Sequence, residues 1–151
     1  MKAVLQRVRG ASVVVNGGEP RTIGPGLVIL LGVSETDSPD LCAKLAQKCA
    51  GLRIFDDENG NLNLSAEDKG YEAMIVSNFT LYGDTRKGKR PSFIRAAKPP
   101  LSVDCYNEFV RQMKNTGLTG IVTGEFGADM QISLVNDGPV TIVIETEDWT
   151  R

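Results

Sequence analysis

Apolar residues along the first third of the chain alternate or run together at strand-like spacing. Ala3–Val8 and Ser12–Val15 read as two strands joined by a link at Arg9–Ala11, and Gly17-Gly18 and Gly24-Pro25-Gly26 mark turns. Gly26–Val33 is almost continuously apolar and suits a strand buried on both faces. The period then changes. Ser38-Pro39-Asp40 carries an N-cap hydroxyl, a proline for the first helical position and an acid for the first turn. Leu41, Cys42, Leu45, Ala46 and Cys49 continue it as one helical face, which Gly51 ends. Leu52–Phe55 is a short strand candidate, and Tyr71–Tyr82 contains another. A second helix is expected from Ser102 to Thr116, with Tyr106, Phe109, Val110 and Met113 at i, i+3, i+4 and i+7 and Gly117 closing it. Strands near Thr119–Thr123, Met130–Asn136 and Val140–Thr146 complete the chain. Two main helices among seven or eight mostly antiparallel strands define an α+β fold, and no repeat or linker divides residues 1–151 into more than one domain.

Between the last two strands lies Asn136-Asp137-Gly138-Pro139-Val140-Thr141. Proline lacks the N–H that a ladder needs and restricts the residue before it, while glycine reaches backbone angles closed to other residues. X-Pro is also the one common place for a cis peptide. By itself the segment reads as a hairpin turn. The alternative is a backbone device whose carbonyls point at something small.

Composition narrows the chemistry. With 41% hydrophobic and 24% charged residues, the chain has the make-up of a soluble globular protein. Its longest apolar run, Leu27 to Val33, is far too short to cross a bilayer, and no signal-peptide core precedes Arg7, so a cytoplasmic location without membrane attachment is expected. Cys42, Cys49 and Cys105 are odd in number and lack metal-site spacing, which argues against both disulfides and zinc. The acids and amides of Asp56–Asn61 lack the spacing of a calcium loop and read as a solvated turn. There is no histidine. That absence excludes Ser-His-Asp and Cys-His nucleophilic machinery and the usual general base near neutral pH. An enzyme with this sequence has to work through backbone groups, hydroxyls, carboxylates, lysines or its own substrate.

Net charge is only −2, yet it is unevenly spread. From Gly83 to Pro100, Arg86, Lys87, Lys89, Arg90, Arg95 and Lys98 face the single acid Asp84; this makes the segment +5 and leaves −7 on the rest. A basic loop on an acidic body is a focused anion site, and Phe93 within it offers a ring for stacking. The other reading is a solvated loop with no partner. The patch is too small for a long duplex footprint, so DNA is not expected, and a few phosphates at a nucleic-acid end suit it better. Directly before this loop, Ser77-Asn78-Phe79-Thr80-Leu81 places two hydroxyls and an amide at a strand end, where departing backbone N–H groups can form an oxyanion hole. A plain strand edge is the alternative, and neither Ser77 nor Thr80 has a visible activating base.

These two segments resemble the signature motifs of the D-aminoacyl-tRNA deacylases. Residues 77–81 match a Ser-Gln-x-Thr-Leu motif except at Asn78, and residues 136–141 match Asn-x-Gly-Pro-x-Thr throughout. Leu5-Gln6-Arg7-Val8, Arg53-Ile54-Phe55, Arg90-Pro91-Ser92-Phe93 and Ala128-Asp129-Met130-Gln131 extend the resemblance over essentially the whole chain. It implies an esterase that hydrolyses D-amino acids, and mischarged glycine, from the 3′ end of tRNA, without metal or cofactor. It also implies a homodimer with active sites at the subunit interface. In that arrangement Gly138-Pro139 forms a cis peptide, enters the partner's pocket, holds the α-amino group and leaves no room for an L side chain. Ser77, Asn78, Phe79 and Thr80 would carry the ester, with the ribose 2′-hydroxyl assisting. Arg7 would brace the Gly-Pro element, Met130 would wall the pocket, and Asn136 and Thr141 belong to the substrate-binding motif. The basic loop would meet the acceptor-end phosphates, an inference from charge alone. Asn78 departs from the family's glutamine by one methylene, which leaves a silent or respecified module for binding the tRNA end as the alternative.

Overall fold

The computed structural model describes residues 1–150. Its organising element is β1 (Lys2–Val15), a single strand that spans both predicted strands and the link between them. It pairs antiparallel with β2 (Arg21–Ile23), with β3 (Gly26–Gly32) and, along nearly its whole length, with β8 (Met130–Glu145). β3 then continues the sheet in parallel to β6 (Glu72–Ser77), and β6 in parallel to β7 (Gly120–Thr123). A separate hairpin joins β4 (Phe55–Asp56) to β5 (Leu62–Leu64). Eight strands, mostly antiparallel, and two main helices make the α+β architecture that the sequence predicts.

The helices are α1 (Cys42–Gly51) and α3 (Leu101–Lys114), with a four-residue α2 (Ala66–Lys69) between them. α1 starts later than predicted: Ser38 does accept a hydrogen bond from the Asp40 N–H, but Pro39–Leu41 form a 3-10 turn and the α-helix begins at Cys42. α2 was not predicted. Its signal is the reciprocal cap between Ser65 and Asp68, which is legible as Ser-x-x-Asp but too short to show a helical period. The strand expected over Leu52–Phe55 is displaced to Phe55–Asp56, where the hairpin partner lies.

Two apolar layers hold the sheet. α1 and α3 bury Leu45, Cys49, Phe109 and Met113 against Ala3, Leu5, Leu27, Ile29, Leu31 and Ile75. The other face gathers Val8, Ala11, Val13, Ile23, Val28, Met74 and Val76. Odd-numbered residues of β1 therefore face the helices at Ala3 and Leu5 but the second layer at Ala11 and Val13. The reason is the register shift between Val8 and Gly10, since one extra residue in a ladder exchanges the two faces. The predicted link at Arg9–Ala11 is this irregularity, absorbed without ending the strand.

The largest departure lies in β8. Met130–Asn136 and Val140–Thr146 were expected as two strands around a turn. Instead both halves run in one direction along β1, so Asn136–Thr141 is a bulge and not a hairpin. Gln6 pairs with Thr141 and Val8 with Asn136, which sets the four residues Asp137-Gly138-Pro139-Val140 opposite the single residue Arg7. Gly138 sits at φ +145 and its bond to Pro139 is cis. A second cis bond, at Pro99-Pro100, turns the basic loop into α3 and was not predicted.

Close approach of β3 and β6 depends on Gly26: a Cβ there would lie 1.9 Å from the Glu72 carbonyl oxygen. Gly26→Ala is expected to lower unfolding free energy by about 2–4 kcal/mol, since neither backbone can yield without breaking the ladder. Urea denaturation measures this, and a change under about 0.5 kcal/mol would contradict it.

Candidate functional site

β6 leaves the sheet at Ser77, which pairs with Leu31 of β3. Asn78 keeps the direction for one more residue, with its N–H donating to the Leu31 carbonyl at 2.8 Å. The chain then tightens into a 3-10 turn over Phe79–Tyr82. At the start of such a turn the first N–H groups have no carbonyl of their own helix to meet, so those of Phe79 and Thr80 are the natural donors to an external oxygen. The Asn78 side chain does not cap the turn. Its Oδ1 accepts instead from the Thr80 hydroxyl. Thr80 thus spends its proton on an amide oxygen rather than on a base, which does not prepare it as a nucleophile.

Beside this strand end lies a cavity of about 220 Å³. Ser77, Asn78 and Phe79 form one rim, and Met130, at the start of β8, forms part of the wall. Leu31, Ala97, Ser102, Tyr106 and Phe126 complete most of the remainder. The sequence reading placed Tyr106 only on the apolar face of its helix and did not single out Phe126 or Ser102. The missed signal was the Phe126-Gly127 pair just ahead of Ala128–Met130, which helical or strand periodicity cannot register. Tyr106 is fixed by donating to the Ile75 carbonyl at 3.1 Å, and burial pushes its phenol up to about 12, so it stays neutral. Among the described residues no three acids or thiols gather into a possible metal site.

The Gly138-Pro139 bulge is elsewhere. Ser77, Leu31, Ala3 and Ile144 share one row across the sheet, while the bulge lies opposite Arg7, in the row of Leu27. The two segments are four residues and three strands apart, roughly 20 Å at ~3.3 Å per residue and ~4.8 Å per strand. No single copy of the chain brings them together.

What fixes the bulge is plain. Arg7, only 7% exposed, donates from Nε to the Asp137 carbonyl at 2.7 Å and from Nη1 to the Ile54 carbonyl at 3.0 Å, with Asp56 at 3.4 Å. Asn136 closes the loop from within: its Oδ1 accepts from the Val140 N–H at 2.8 Å, and its amide donates to Gln6 and Thr141. The Thr141 hydroxyl also donates to Gln6, at 3.2 Å. Arg7, Asn136 and Thr141 therefore hold the shape of the backbone, while Gly138 and Pro139 stand exposed.

The basic loop is tied at its base by the paired backbone bonds of Asp84 and Ser92. Phe93 packs edge-on against Phe79 at 5.2 Å, which joins the loop to the cavity rim. Its six cations are not equivalent. Arg86 forks onto Asp84 and holds that carboxyl well below the usual carboxylate range. Arg95 pairs with Glu147 at 3.0 Å and lies over the Tyr82 ring. Lys87, Lys89, Arg90 and Lys98 are exposed and face solvent. The usable positive charge is thus smaller than the sequence count and concentrated toward the loop tip.

Residues 4–145 match the family model described as D-Tyr-tRNA(Tyr) deacylase. A D-aminoacyl-tRNA deacylase of Thermosipho africanus is 52% identical, over 97% of this chain and 98% of that protein. One from Desulfatibacillum aliphaticivorans is 50% identical, over 97% of this chain and all of that protein. A solved structure described as c-Myc DNA unwinding element binding protein superposes with TM-score 0.89 and 42% identity, covering 97% of this chain and 99% of that one. A probable eukaryotic D-amino acid tRNA deacylase shares the fold at TM-score 0.85 and 13% identity, covering 95% of this chain and 97% of that one. On the family model and on relatives about half identical over nearly the whole chain, the chain belongs to the D-Tyr-tRNA(Tyr) deacylase family.

Proposed function

We propose that this chain, as a D-aminoacyl-tRNA deacylase, recognises chirality with backbone supplied by a second copy of itself. The observation that carries the reading is the separation of its two motif segments. A cavity with open N–H donors but no titratable base lies at one end of the sheet, and an exposed, braced pair of carbonyls lies roughly 20 Å away. A homodimer with active sites across the interface lets each segment complete the other. Val135 and Val143, which flank the bulge on β8, are 59% and 55% exposed, an apolar surface suited to burial by a partner.

In the assembled site the substrate's ester carbonyl faces the N–H groups of Phe79 and Thr80. Water attacks the carbonyl carbon, and these donors stabilise the oxygen as negative charge develops. The C–O bond to the ribose breaks, the ribose oxygen recovers a proton, and the products are free tRNA and the amino acid. With no histidine anywhere in the chain, the adjacent 2′-hydroxyl of the substrate positions and activates the water. The partner's Gly-Pro carbonyls accept hydrogen bonds from the α-ammonium group. With that group and the ester both fixed, a D side chain points outward, whereas an L side chain meets rigid backbone. Glycine has no side chain to reject and is also cleaved. Lys87, Lys89, Arg90 and Lys98 steer the acceptor-end phosphates, while Arg86 and Arg95 shape the loop.

Purified protein should cleave D-tyrosyl-tRNA and glycyl-tRNA and leave L-tyrosyl-tRNA intact. Equal cleavage of the two enantiomers would refute backbone rejection, and binding of all three without cleavage would favour a silent module made so by Asn78.

Subunit complementation tests the shared site. Gly138→Ala alters the bulge, because its Cβ would lie 2.8 Å from the Val140 nitrogen, and Ala128→Trp fills the cavity. Each variant alone should be inactive but folded. Co-refolded together they should regain about a quarter of wild-type activity, since half the dimers are mixed and each mixed dimer has one intact site of two. No recovery would place the whole site within one chain.

Ser77→Ala and Thr80→Ala should each keep single-turnover hydrolysis within about 100-fold of wild type, as expected for positioning groups rather than nucleophiles. Complete loss in either, with tRNA binding intact, would demand a covalent intermediate.

A further inference from the structure

The large apolar side chain most exposed among the described residues is Ile94, at 80%. It occupies the first central position of a β-turn that the Ala96 N–H closes onto the Phe93 carbonyl at 3.1 Å. Glycine, proline, asparagine, aspartate and serine are the usual occupants of such turns. The turn is held from both sides: Ser92 pairs with Asp84, Ala96 pairs with Ser34, and the Arg95 carbonyl accepts from the Glu35 N–H at 3.0 Å. A lone exposed isoleucine needs no explanation. This one is fixed in place, stands among the free cations of the basic loop and borders a hollow of about 370 Å³, separate from the cavity beside Ser77.

Glu35, Ala96 and Lys98 line the hollow with it. Among the described residues neither the Glu35 carboxylate nor the Lys98 ammonium has a side-chain partner, and the two do not pair with each other. An apolar side chain, an acceptor and a cation, all uncommitted, suit a ligand with a flat face, an amino group on its edge and a negative charge. A nucleotide with an exocyclic amine has all three. The same two segments also wall the cavity, through Val33 and Ala97, and Phe93 beside Ile94 packs on Phe79 at the cavity rim. At most two residues separate the lining of one from that of the other, roughly 7 Å of extended chain. An RNA strand whose end occupies the cavity therefore has the hollow within reach of its next nucleotide.

We propose that the hollow receives the cytosine preceding the terminal adenosine of tRNA, with Ile94 against its face, Glu35 accepting from its 4-amino group and Lys98 beside its phosphate. The proposal rests on the deacylase reading above and adds a second contact point for the same substrate, outside the cavity that takes the ester. Unpaired RNA ends are recognised by supporting the face of an unstacked base and bonding along its edge. Isoleucine is among the apolar side chains that press on unstacked bases, and an acid is the usual acceptor for the cytosine amine. Uracil would set a carbonyl oxygen against the same carboxylate, and two acceptors cannot bond. Every mature tRNA ends in cytidine-cytidine-adenosine, so a base-specific contact here holds the substrate whatever amino acid it carries. Ile94 and Glu35 are thus binding residues, remote from the bond that breaks.

Ile94→Ser and Glu35→Ala, assayed on D-tyrosyl-tRNA, should each raise KM about five- to tenfold with kcat within about twofold, the pattern of lost uniform binding. On D-tyrosyl-adenosine, which lacks the cytidine, both variants should match the wild-type KM. Replacing the penultimate cytidine by uridine should raise the wild-type KM by a similar factor and add little in Glu35→Ala, because both changes remove one contact. Fluorescence anisotropy with uncharged RNA hairpins ending in CCA or CUA reads the contact without turnover. Wild type should prefer CCA, and Glu35→Ala should lose that preference. The proposal is overturned if the variants keep the wild-type KM and the CCA preference, or if wild type does not distinguish CCA from CUA. An equal rise of KM on D-tyrosyl-adenosine would also overturn it, since the hollow would then only support the cavity wall. So would an Ile94→Ser variant altered only in sedimentation coefficient, which would assign Ile94 to a contact between copies of the chain. If wild type cleaves no D-aminoacyl-tRNA, the deacylase reading fails, and anisotropy still decides the hollow.

Discussion

Everything distinctive in this fold depends on how β8 is paired to β1 around Arg7. β1 is shared by three pairings, and β8 must follow it for twelve paired positions while setting four residues opposite one. Such an excess would ordinarily loosen a ladder. Here a buried guanidinium occupies the gap, with carbonyls of Asp137 and Ile54 and the carboxylate of Asp56 around it. A charge in that position is tolerated only with its acceptors in place, and stripping a partner from a buried ion costs about 3–5 kcal/mol. The bulge is therefore locked to the sheet by the same interaction that lets Arg7 be buried. Asn136 repeats the logic with neutral groups by bonding across the loop to Val140.

A braced bulge makes backbone usable as a recognition surface. Side chains change rotamer at little cost, whereas carbonyls held by a buried arginine and a ladder on either side do not move independently. In the proposed function, discrimination between mirror-image substrates, which differ only in where one substituent points, draws on that rigidity. The end of β6 follows the same economy. A 3-10 turn at the end of β6 presents N–H groups without any titratable side chain, and the nearby hydroxyl of Thr80 is occupied by Asn78. The Asn78 amide is long enough to reach the Thr80 hydroxyl directly.

The basic loop shows the difference between charge count and available charge. Six cations stand against one acid in the sequence, but Arg86 is bound to that acid and Arg95 to Glu147. Exposed pairs of this kind contribute little stability. Arg86 bonds within the loop and Arg95 ties it to Glu147 and Tyr82, while the separate Phe79–Phe93 contact brings it to the cavity rim.

Much of this was determined locally and could be read without coordinates. The alternation of Ala3–Val8, the apolar run of β3, the i, i+3, i+4, i+7 face of α3 and the absence of histidine are properties of short windows or of composition, and they settle fold class and exclude whole mechanisms. What the windows could not decide is which strand each segment meets. Residues 136–141 have the composition of a turn, and only their pairing with a strand more than a hundred residues earlier converts them into an outward bulge. The same holds for Ser102 and Tyr106, indistinguishable from ordinary helix residues until β3 and the loop before β8 enclose a cavity against them. Local sequence specifies torsion preferences and which face is apolar. Register and enclosure arise from contacts between distant segments, whose partners no short window contains.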